Sequence, residues 1–141
     1  MLVIQLIEAK TNTPIDTLIR QKGGSPDANP FTDTSDRHVA AAYQLGVVTG
    51  RGAGEFAPNA SITRQEAAVM LRNTAAVLEV DVPVAVSSFV DTDDIAPWAA
   101  ASVDFVFSAK VMDGTGDGRF SPQGIYTPQQ AYITILRLLA K

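Results

Sequence analysis

The sequence predicts an all-α fold built from repeated units, and three observations support this prediction. The stretch from Gly46 to Leu71 returns in altered form from Lys110 to Ile135, and self-similarity at a fixed spacing is typical of repeat proteins. Each copy ends in a segment whose apolar residues recur at helical spacing. Both of these segments begin with a capping box, TRQE or TPQQ, which marks the first turn of a helix. We therefore expect a helical repeat domain with short extended segments at its turns.

The two copies keep their register through a turn, a short extended piece and the start of a helix. They lie about 64 residues apart. Composition alone would not preserve this spacing, so we interpret the match as a duplication. The coinciding pairs are Val47 with Val111, Gly50 with Gly114, Gly52 with Gly116, Gly54 with Gly118, Phe56 with Phe120, Pro58 with Pro122, Thr63 with Thr127, Gln65 with Gln129 and Ala67 with Ala131.

Each copy has a simple physical logic. The alternate glycines of GRGAG and GTGDG allow a tight reversal of the chain, after which a phenylalanine turns inward. Thr63 and Thr127 stand at the N-caps of the helices that follow, with Glu66 or Gln130 placed to reach back to the cap N–H. Pro128 occupies the first helical position, where its missing N–H costs nothing.

Composition excludes several classes of protein. The chain has 141 residues, 46% of them hydrophobic and 18% charged, which is typical of a globular domain. A net charge of −4 without any block of Lys or Arg argues against a nucleic-acid partner. The apolar runs are too short for membrane insertion. The absence of cysteine excludes disulfides and thiolate metal sites, and we expect no cofactor.

The first 30 residues predict a helix, a second short helix and a loop. Met1 to Lys10 has helical spacing at Leu2, Val3, Leu6 and Ile7, and lacks the basic and small-residue features of a signal peptide. This helix begins without a cap, which suggests a fragment of a longer chain. We expect the second helix to span Pro14 to Gln21, with Thr13 as its cap.

The remaining chain divides into two openings, each followed by the duplicated stretch. FTDTSD leads into a predicted helix from Arg37 to Leu45, whose inward face would be Val39, Ala42 or Tyr43, and Leu45. Glu79 to Ser88 reads as an extended linker. A second opening follows at Phe89, about six residues longer than the first, and carries Trp98. The predicted units are a remnant of a preceding repeat (1–30), a repeat (31–80), a linker (81–88) and a second repeat (89–141).

These elements together resemble the S-layer homology family, whose repeats contain an FxD element, a helix often bearing Trp, a GxxxG turn, FxP, and a helix introduced by TRxE. The resemblance covers about Phe31 to Leu139 and is specific because many elements agree in order. In the first copy they are Phe31, Asp33, Gly50, Gly54, Phe56, Pro58, Thr63, Arg64 and Glu66; in the second they are Phe89, Asp91, Trp98, Gly114, Gly118, Phe120, Pro122 and Thr127.

The resemblance implies a fold and a function. Three such repeats commonly form a three-lobed helical domain whose grooves bind a cell-wall polysaccharide, often through a pyruvylated sugar, and hold secreted proteins on the bacterial surface. Here the segment Met1 to Lys10 looks like the end of a first, incomplete lobe, and packing against neighbouring domains of a longer parent protein is expected. Two departures put some grooves in doubt: the last repeat reads TPQQ, and the first full copy lacks the Trp.

Five residues are candidate contacts for the polysaccharide. Arg64 caps nothing, and its guanidinium suits a carboxylate beside a helix N-terminus; the alternatives are a solvated arginine or one paired with an acid. Asp33 and Asp91 are expected to cap the following helix or bind their own turn, with sugar contact as the minority alternative. Trp98 is expected in the core or at a lobe interface more often than as a sugar platform. Arg51, in the glycine turn, could flank the same groove as Arg64, with an ordinary solvated loop arginine as the alternative.

Other chemistry receives little support. DGTGDG resembles a calcium loop, but Gly124 stands where the bidentate acid belongs. His38 is the only histidine and has no nearby Ser or Cys, which argues against a catalytic triad. Acid pairs such as Asp91 with Asp93 are too close in sequence for glycoside hydrolysis. The main rival is a protein-interaction module with decayed grooves, which predicts exposed apolar surface on the Met1 helix and self-association.

Overall fold

The computed structural model describes residues 2–48, 50, 53–57 and 59–141, without the side chain of Leu2. Over these ranges the chain forms α-helices and one 3-10 turn at Thr92–Asp94, and no β-strand, so the all-α prediction is confirmed. No helix in the described part of the chain is long and apolar enough to cross a membrane. The helices are α1 (Leu2–Thr11), α2 (Ile15–Gln21), α3 (Arg37–Gln44), α4 (Arg64–Val77), α5 (Ala100–Ser108) and α6 (Pro128–Leu139).

The chain folds into two compact units, Met1–Ala60 and Ser61–Lys141. This division does not follow the predicted repeats, because α4, which ends the first repeat in sequence, packs with the elements of the second. We call α3 and α5 opening helices, since each follows an FxD element, and α4 and α6 terminal helices, since each ends a repeat. The bounds of the repeats remain a prediction from the sequence.

In the first unit, α1, α2 and α3 pack against one another. The predicted inner face of α1 is confirmed at Val3, Leu6 and Ile7, and Ile4 is buried as well. On α3 more residues are buried than predicted, because three consecutive alanines let the helix approach its neighbours closely. Tyr43 is exposed and does not belong to this buried face. The buried residues of this helix and its exit are Val39, Ala40, Ala41, Ala42, Leu45 and Val47.

The predicted start of α2 is wrong by one residue. Pro14 is the N-cap, with φ −58° and ψ 142°, and no side chain caps the helix. Pro14 already has an extended ψ and therefore lies outside the helix rather than at its first position. The hydroxyl of Thr13 donates instead to the Thr11 carbonyl at 3.0 Å, and the N–H of Ile15 donates to Oε2 of Glu8 at 3.0 Å. A carboxylate from α1 thus satisfies one N–H at the start of α2.

In the second unit, α4 packs on α5 and on α6. The predicted capping boxes are both present: Thr63 caps α4 with Glu66, and Thr127 caps α6 with Gln130. The segment of residues 80–89 has no helix or strand, and the N–H of Ser87 donates to Oδ1 of Asp104 on α5 at 2.9 Å. The buried core of the unit is apolar and centres on Ala67, Leu71, Val103, Val106, Val111, Met112, Phe120 and Leu138.

Candidate functional site

The two repeats hold their FxP turns in the same way, through a carboxylate from the FxD element. Asp33 accepts hydrogen bonds from the N–H groups of Phe56 and Ala57 at 2.9 and 2.8 Å. Asp91 accepts from Phe120 and Ser121, both at 2.9 Å. The prediction that these aspartates cap the following helix or bind their own turn is therefore wrong. Each carboxylate binds the two N–H groups of the turn rather than an N–H at the start of the following helix, because in the turn both carboxylate oxygens accept a hydrogen bond at once.

The following helices begin without help from these aspartates. The side chain of Asp36 caps α3 by accepting from the N–H of His38 at 2.8 Å. The 3-10 turn after Asp91 has no side-chain cap. Asp33 and Asp91 thus form long-range hydrogen bonds, which we call ties, between the FxD element at the start of a repeat and the FxP turn of the same repeat.

These hydrogen bonds favour the ionised form of both carboxylates. The N–H groups of Phe56 and Ala57 lower the pKa of the exposed Asp33. For Asp91 burial acts in the opposite direction and raises the pKa, but the N–H groups of Phe120 and Ser121 outweigh it, so the net pKa is lowered. Both turns therefore rely on a negative charge at neutral pH.

A three-ring cluster accompanies each tie. In the first repeat the ring of Phe31 lies 5.3 Å from that of Phe56 and 5.5 Å from that of Tyr43, measured between centroids. In the second repeat the matching distances from Phe89 are 5.4 Å to Phe120 and 4.8 Å to Phe107. The repeats therefore share side-chain packing as well as sequence spacing.

Gly50 shows why the turn of the first repeat needs a glycine. Its φ is +78°, and a Cβ at this position would lie 2.6 Å from Cε1 of Phe31. Both the backbone conformation and the approach of the ring therefore exclude a side chain.

The first turn of α4 is hydrogen-bonded to the segment that precedes α6. The N–H of Arg64 donates to the Gly124 carbonyl at 2.8 Å, and that of Gln65 donates to the Pro122 carbonyl at 3.0 Å. Thr63 Oγ1 accepts from the N–H of Glu66. The N–H groups that could bind an anion at this helix start are thus already used, and the expectation that the helix N-terminus favours an anion here is wrong.

The side chain of Arg64 is 6% exposed and reaches into the turn of the second repeat. Its Nε donates to the Phe120 carbonyl at 2.9 Å, its Nη2 donates to the Asp113 carbonyl at 2.5 Å, and its Cζ lies 4.9 Å from the centre of the Phe120 ring. Burial lowers the pKa of Arg64, although the charge of Asp113 opposes this effect. The solvated alternative for Arg64 is wrong, whereas its role as a ligand contact stays a prediction.

Asp113, the acid whose charge acts on Arg64, has another partner. The carboxylate of Asp113 accepts from Nη1 of Arg137 on α6 at 3.0 Å, so this pair joins the glycine turn to the last helix. The hydrogen bond from Arg64 to Asp113 goes to the backbone carbonyl. The alternative in which Arg64 is paired with an acid is thus replaced by hydrogen bonds to backbone carbonyls.

Trp98 lies on the surface of the second unit with 61% of its area exposed, so the expected placement in the core is wrong, whereas the lobe-interface alternative stays a prediction. Two residues earlier, the N–H of Ala96 donates to Oε1 of Gln65 at 2.9 Å. The buried Gln65 therefore fixes both the Ala96 backbone, through its side chain, and the Pro122 carbonyl, through its N–H. Of the predicted contacts, Arg64, Asp91 and Trp98 occur in the second unit and Asp33 in the first; Arg51 lies outside the described residues, as do Gly52 and Pro58.

The first unit contains a separate groove of about 300 Å³ between its three helices. None of its lining residues was a predicted contact. Arg37 projects at its edge, 3.7 Å from Asp16 and 3.9 Å from Asp27, and all three side chains are substantially exposed. The lining residues are Glu8, Pro14, Ile15, Asp16, Pro26, Arg37, His38 and Ala41.

Comparison with known families agrees with this arrangement of two repeats. The model of the S-layer homology domain matches residues 26–68 and 88–125. The chain belongs to the S-layer homology family. No solved structure matches the chain.

By their names, the relatives of this chain include surface proteins and a glucanase. The chain is 34% identical over 117 residues to an endoglucanase of Bacillus sp. (strain KSM-635), which is 79% of this chain and 12% of that protein. It is 29% identical over 104 residues to the surface-layer 125 kDa protein of Lysinibacillus sphaericus, covering 72% and 9%. It is 28% identical over 129 residues to cell surface glycoprotein 1 of Acetivibrio thermocellus, covering 84% and 6%. The chain thus spans about a tenth of these relatives.

The second S-layer homology match stops before the TPQQ box of α6. Thr127 nevertheless caps α6 as Thr63 caps α4, so this box is degenerate in sequence but complete as a cap. What it has lost is the arginine: Pro128 stands at the position of Arg64. Gln65 was not among the residues predicted to form the site. The available signal was its repetition as Gln129 in the second copy.

Proposed function

We propose that this S-layer homology domain holds a longer bacterial protein on the cell wall by binding an acidic polysaccharide, without catalysis. Domains of this family anchor proteins at the bacterial surface, and a pyruvylated sugar is the acidic group that we favour. The observation that carries the proposal is the exposed ring of Trp98, two residues after the backbone N–H of Ala96 that Gln65 binds.

An exposed indole suits a sugar ring. Trp offers a large apolar face with few rotatable bonds, so little conformational entropy is lost when a ligand stacks on it. The two repeats differ here, because Trp98 lies in the longer opening of the second repeat. We therefore place the main sugar contact in the second unit.

The predicted polar contacts divide by exposure. Asp33 is exposed, so its oxygens, which already accept the two turn N–H groups, keep lone pairs for sugar hydroxyls. Asp91 and Arg64 are buried, and we propose that they act mainly by shaping the second turn from opposite sides of Phe120. Arg51, which was predicted to flank the same groove as Arg64, stays a predicted contact.

Co-sedimentation with purified Gram-positive wall sacculi tests this proposal. We expect binding to intact sacculi, loss of binding after acid extraction of the polysaccharide, and a reduction of about tenfold for Trp98→Ala, because an aromatic contact is worth roughly 1.5 kcal/mol. Val86→Ala, which truncates another exposed apolar side chain of the second unit, is the matched control and should bind normally. Failure to bind intact walls from several sources would sink the proposal.

The rival function, an interaction module, is favoured by exposed apolar surface, although this surface does not lie where it was predicted. The prediction that its apolar surface lies on the Met1 helix is wrong for the described residues, because Val3, Ile4, Leu6 and Ile7 are buried. Exposed apolar side chains occur instead on α6. A wall-binding domain can carry such a surface as well.

A further inference from the structure

The segment between α4 and the second FxD element is exposed and is bound to the rest of its unit at few points. It has neither helix nor strand over residues 80–89. Within the described part of the chain, no backbone–backbone hydrogen bond involves residues 81–89. Val86 is 87% exposed and Val84 is 53% exposed, and Pro83 and Ala85 are exposed as well. Both the backbone and the side chains of this segment are therefore accessible.

Two residues of α5 hold one side of the segment. The N–H of Ala85 donates to Oγ of Ser108 at 3.1 Å, and the Ser108 hydroxyl donates back to the Ala85 carbonyl at 3.3 Å. The N–H and the hydroxyl of Ser87 both donate to Oδ1 of Asp104, at 2.9 and 2.7 Å. Alternate residues of an extended chain point to opposite sides. The helix α5 thus binds Ala85 and Ser87, and the two exposed valines lie on the other side.

An exposed, extended segment is the form in which proteases bind their substrates. The substrate chain is taken up like an added strand, through hydrogen bonds to its backbone and pockets for alternate side chains. Exposed connecting segments with small residues are accordingly the preferred places of cleavage. A helix has to open locally before it can be bound in this way. This protects Ala100 and Ala101, which are also small and exposed but lie in α5.

The residues of the segment select the class of protease. Residues 83–88 read PVAVSS, so every side chain that could enter a specificity pocket is small and uncharged. Proteases that require lysine or arginine are excluded, because neither residue occurs between Arg72 and Lys110. The nearest aromatic residue, Phe89, is half-buried in its three-ring cluster. A small apolar pocket, as in serine proteases of the elastase type, fits the valines of the segment.

The contacts of α4 join the two sides of such a cut. A cut within the segment leaves α4 on one piece, and α5 and α6 on the other, but α4 packs on both of these helices. Hydrogen bonds also cross from one piece to the other. They run from Arg64 to Phe120, Asp113 and Gly124, from Gln65 to Pro122, from Tyr126 to Ile62 and from Ala96 to Gln65.

We propose that the segment is a cleavage site for an elastase-type protease, which cuts after Val84 or Val86 and leaves the two pieces bound to each other. Hydrolysis adds one water molecule to the amide bond, so that the valine gains a carboxylate and the next residue an ammonium group. Asp104 and Ser108 determine how readily the segment leaves α5 and enters the protease. The proposal goes beyond wall binding and does not rest on it.

Limited digestion of the whole chain with pancreatic elastase tests the site. We expect the first cut after Val84 or Val86, as identified by mass spectrometry of the two fragments. In gel filtration without denaturant the fragments should elute together at the volume of the intact chain, and in urea they should separate. The double variant Val84→Asp, Val86→Asp should slow cleavage of the segment by about tenfold or more, because an acid then lies in or beside the small apolar pocket at each bond.

Two variants of α5 test how the segment is restrained. Asp104→Ala removes the acceptor of both Ser87 hydrogen bonds and should speed cleavage by about tenfold, because hydrogen bonds to a charged group are lost. Ser108→Ala should speed cleavage by a smaller factor, because its hydroxyl is neutral. In both variants the first cut should stay in the segment, which distinguishes its release from unfolding of the unit. Asp93→Ala removes an exposed acid of the 3-10 turn and is the matched control, with an unchanged rate.

Three outcomes would overturn the proposal. The chain could resist the protease or first be cut elsewhere, for instance after Ala60, which is small and exposed outside the helices. The fragments could separate without denaturant, which would show that the contacts of α4 do not hold the pieces together. Finally, Asp104→Ala could leave the rate of cleavage unchanged, in which case α5 does not restrain the segment.

Discussion

Nε of Arg64 donates a hydrogen bond of 2.9 Å to the carbonyl of Phe120, 56 residues further along the chain. Asp91 holds the N–H of the same Phe120 at 2.9 Å, so both backbone groups of this residue are bound by charged side chains. Hydrogen bonds to charged groups are stronger than those between neutral groups. Phe120, which is fully buried, is therefore the point at which the first repeat fixes the turn of the second.

Replacing Arg64 should destabilise the second unit. Arg64→Ala leaves two carbonyls without their charged donor, and we expect the free energy of unfolding to fall by about 2–4 kcal/mol. Arg64→Lys should recover only part of this, because an ammonium group cannot reproduce the planar donors or the stacking on Phe120. Urea unfolding followed by circular dichroism measures both. Arg72→Ala, an exposed arginine on the same helix, is the control and should change stability by less than about 0.5 kcal/mol.

The two capping boxes should contribute equally in spite of their different sequences. Thr63→Ala and Thr127→Ala each remove the cap hydroxyl of a terminal helix, and each should cost about 1 kcal/mol. Thr13→Ala serves as a control because Thr13 does not cap α2. Thermal and urea unfolding provide the comparison. A neutral Thr127→Ala beside a costly Thr63→Ala would show that the second box does not support its helix.

Acid should weaken the protein through its two tied aspartates. The pKa of Asp91 is lowered in the folded state, so its contribution to stability is present above the unfolded value of about 3.9 and is lost as the pH falls below it through the folded pKa. Asp91→Asn should cost about 1–3 kcal/mol at neutral pH and flatten the loss of stability below about pH 4. Measurement of the free energy of unfolding between about pH 2 and 6 tests both effects.

Asp33→Asn provides the comparison for Asp91. The pKa of Asp33 is lowered by the same kind of hydrogen bonds, so its pH dependence has the same sign. Because Asp33 is exposed, solvent can replace part of what the variant loses, and we expect a smaller effect. Equal effects from the two variants would contradict the argument that burial strengthens the Asp91 tie.

Trp98 should report on ligand binding directly. It is the only tryptophan of the chain and is exposed, so its fluorescence should shift to shorter wavelength when a sugar ring covers it. The titrant is polysaccharide extracted from walls to which the chain binds. A polysaccharide that binds by co-sedimentation and leaves the emission unchanged would remove Trp98 from the site. Leu136→Arg is the control and should show the same fluorescence change as the unaltered chain.

Local signals in the sequence were sufficient for the helices and their caps. Helical spacing and the TRQE and TPQQ boxes predict α4 and α6, and the shared spacing of glycine, Phe and Pro predicts two equivalent turns. These features depend on residues within a few positions of one another. The family also follows from them, because many short elements agree in order.

The contacts that build the site could not be predicted in the same way. Arg64, Asp33 and Asp91 all have partners more than 20 residues away in the sequence. At each of these positions a nearby partner is the simpler expectation from sequence, as with the helix caps expected of Asp33 and Asp91. The prediction that Trp98 is buried was wrong because a large apolar side chain is more often buried than exposed. Nothing in the neighbouring sequence distinguishes an exposed tryptophan from a buried one.

The offset between repeat and packing unit affects how this protein can be divided. A cut in the predicted linker at 81–88, which lies between the two predicted repeats, would separate α4 from α5 and Arg64 from Phe120 into different pieces. A cut between Ala60 and Ser61 would keep these partners in one piece. The predicted repeat is therefore not the segment that holds together, because α4, the last helix of the first repeat, lies in the core of the second unit.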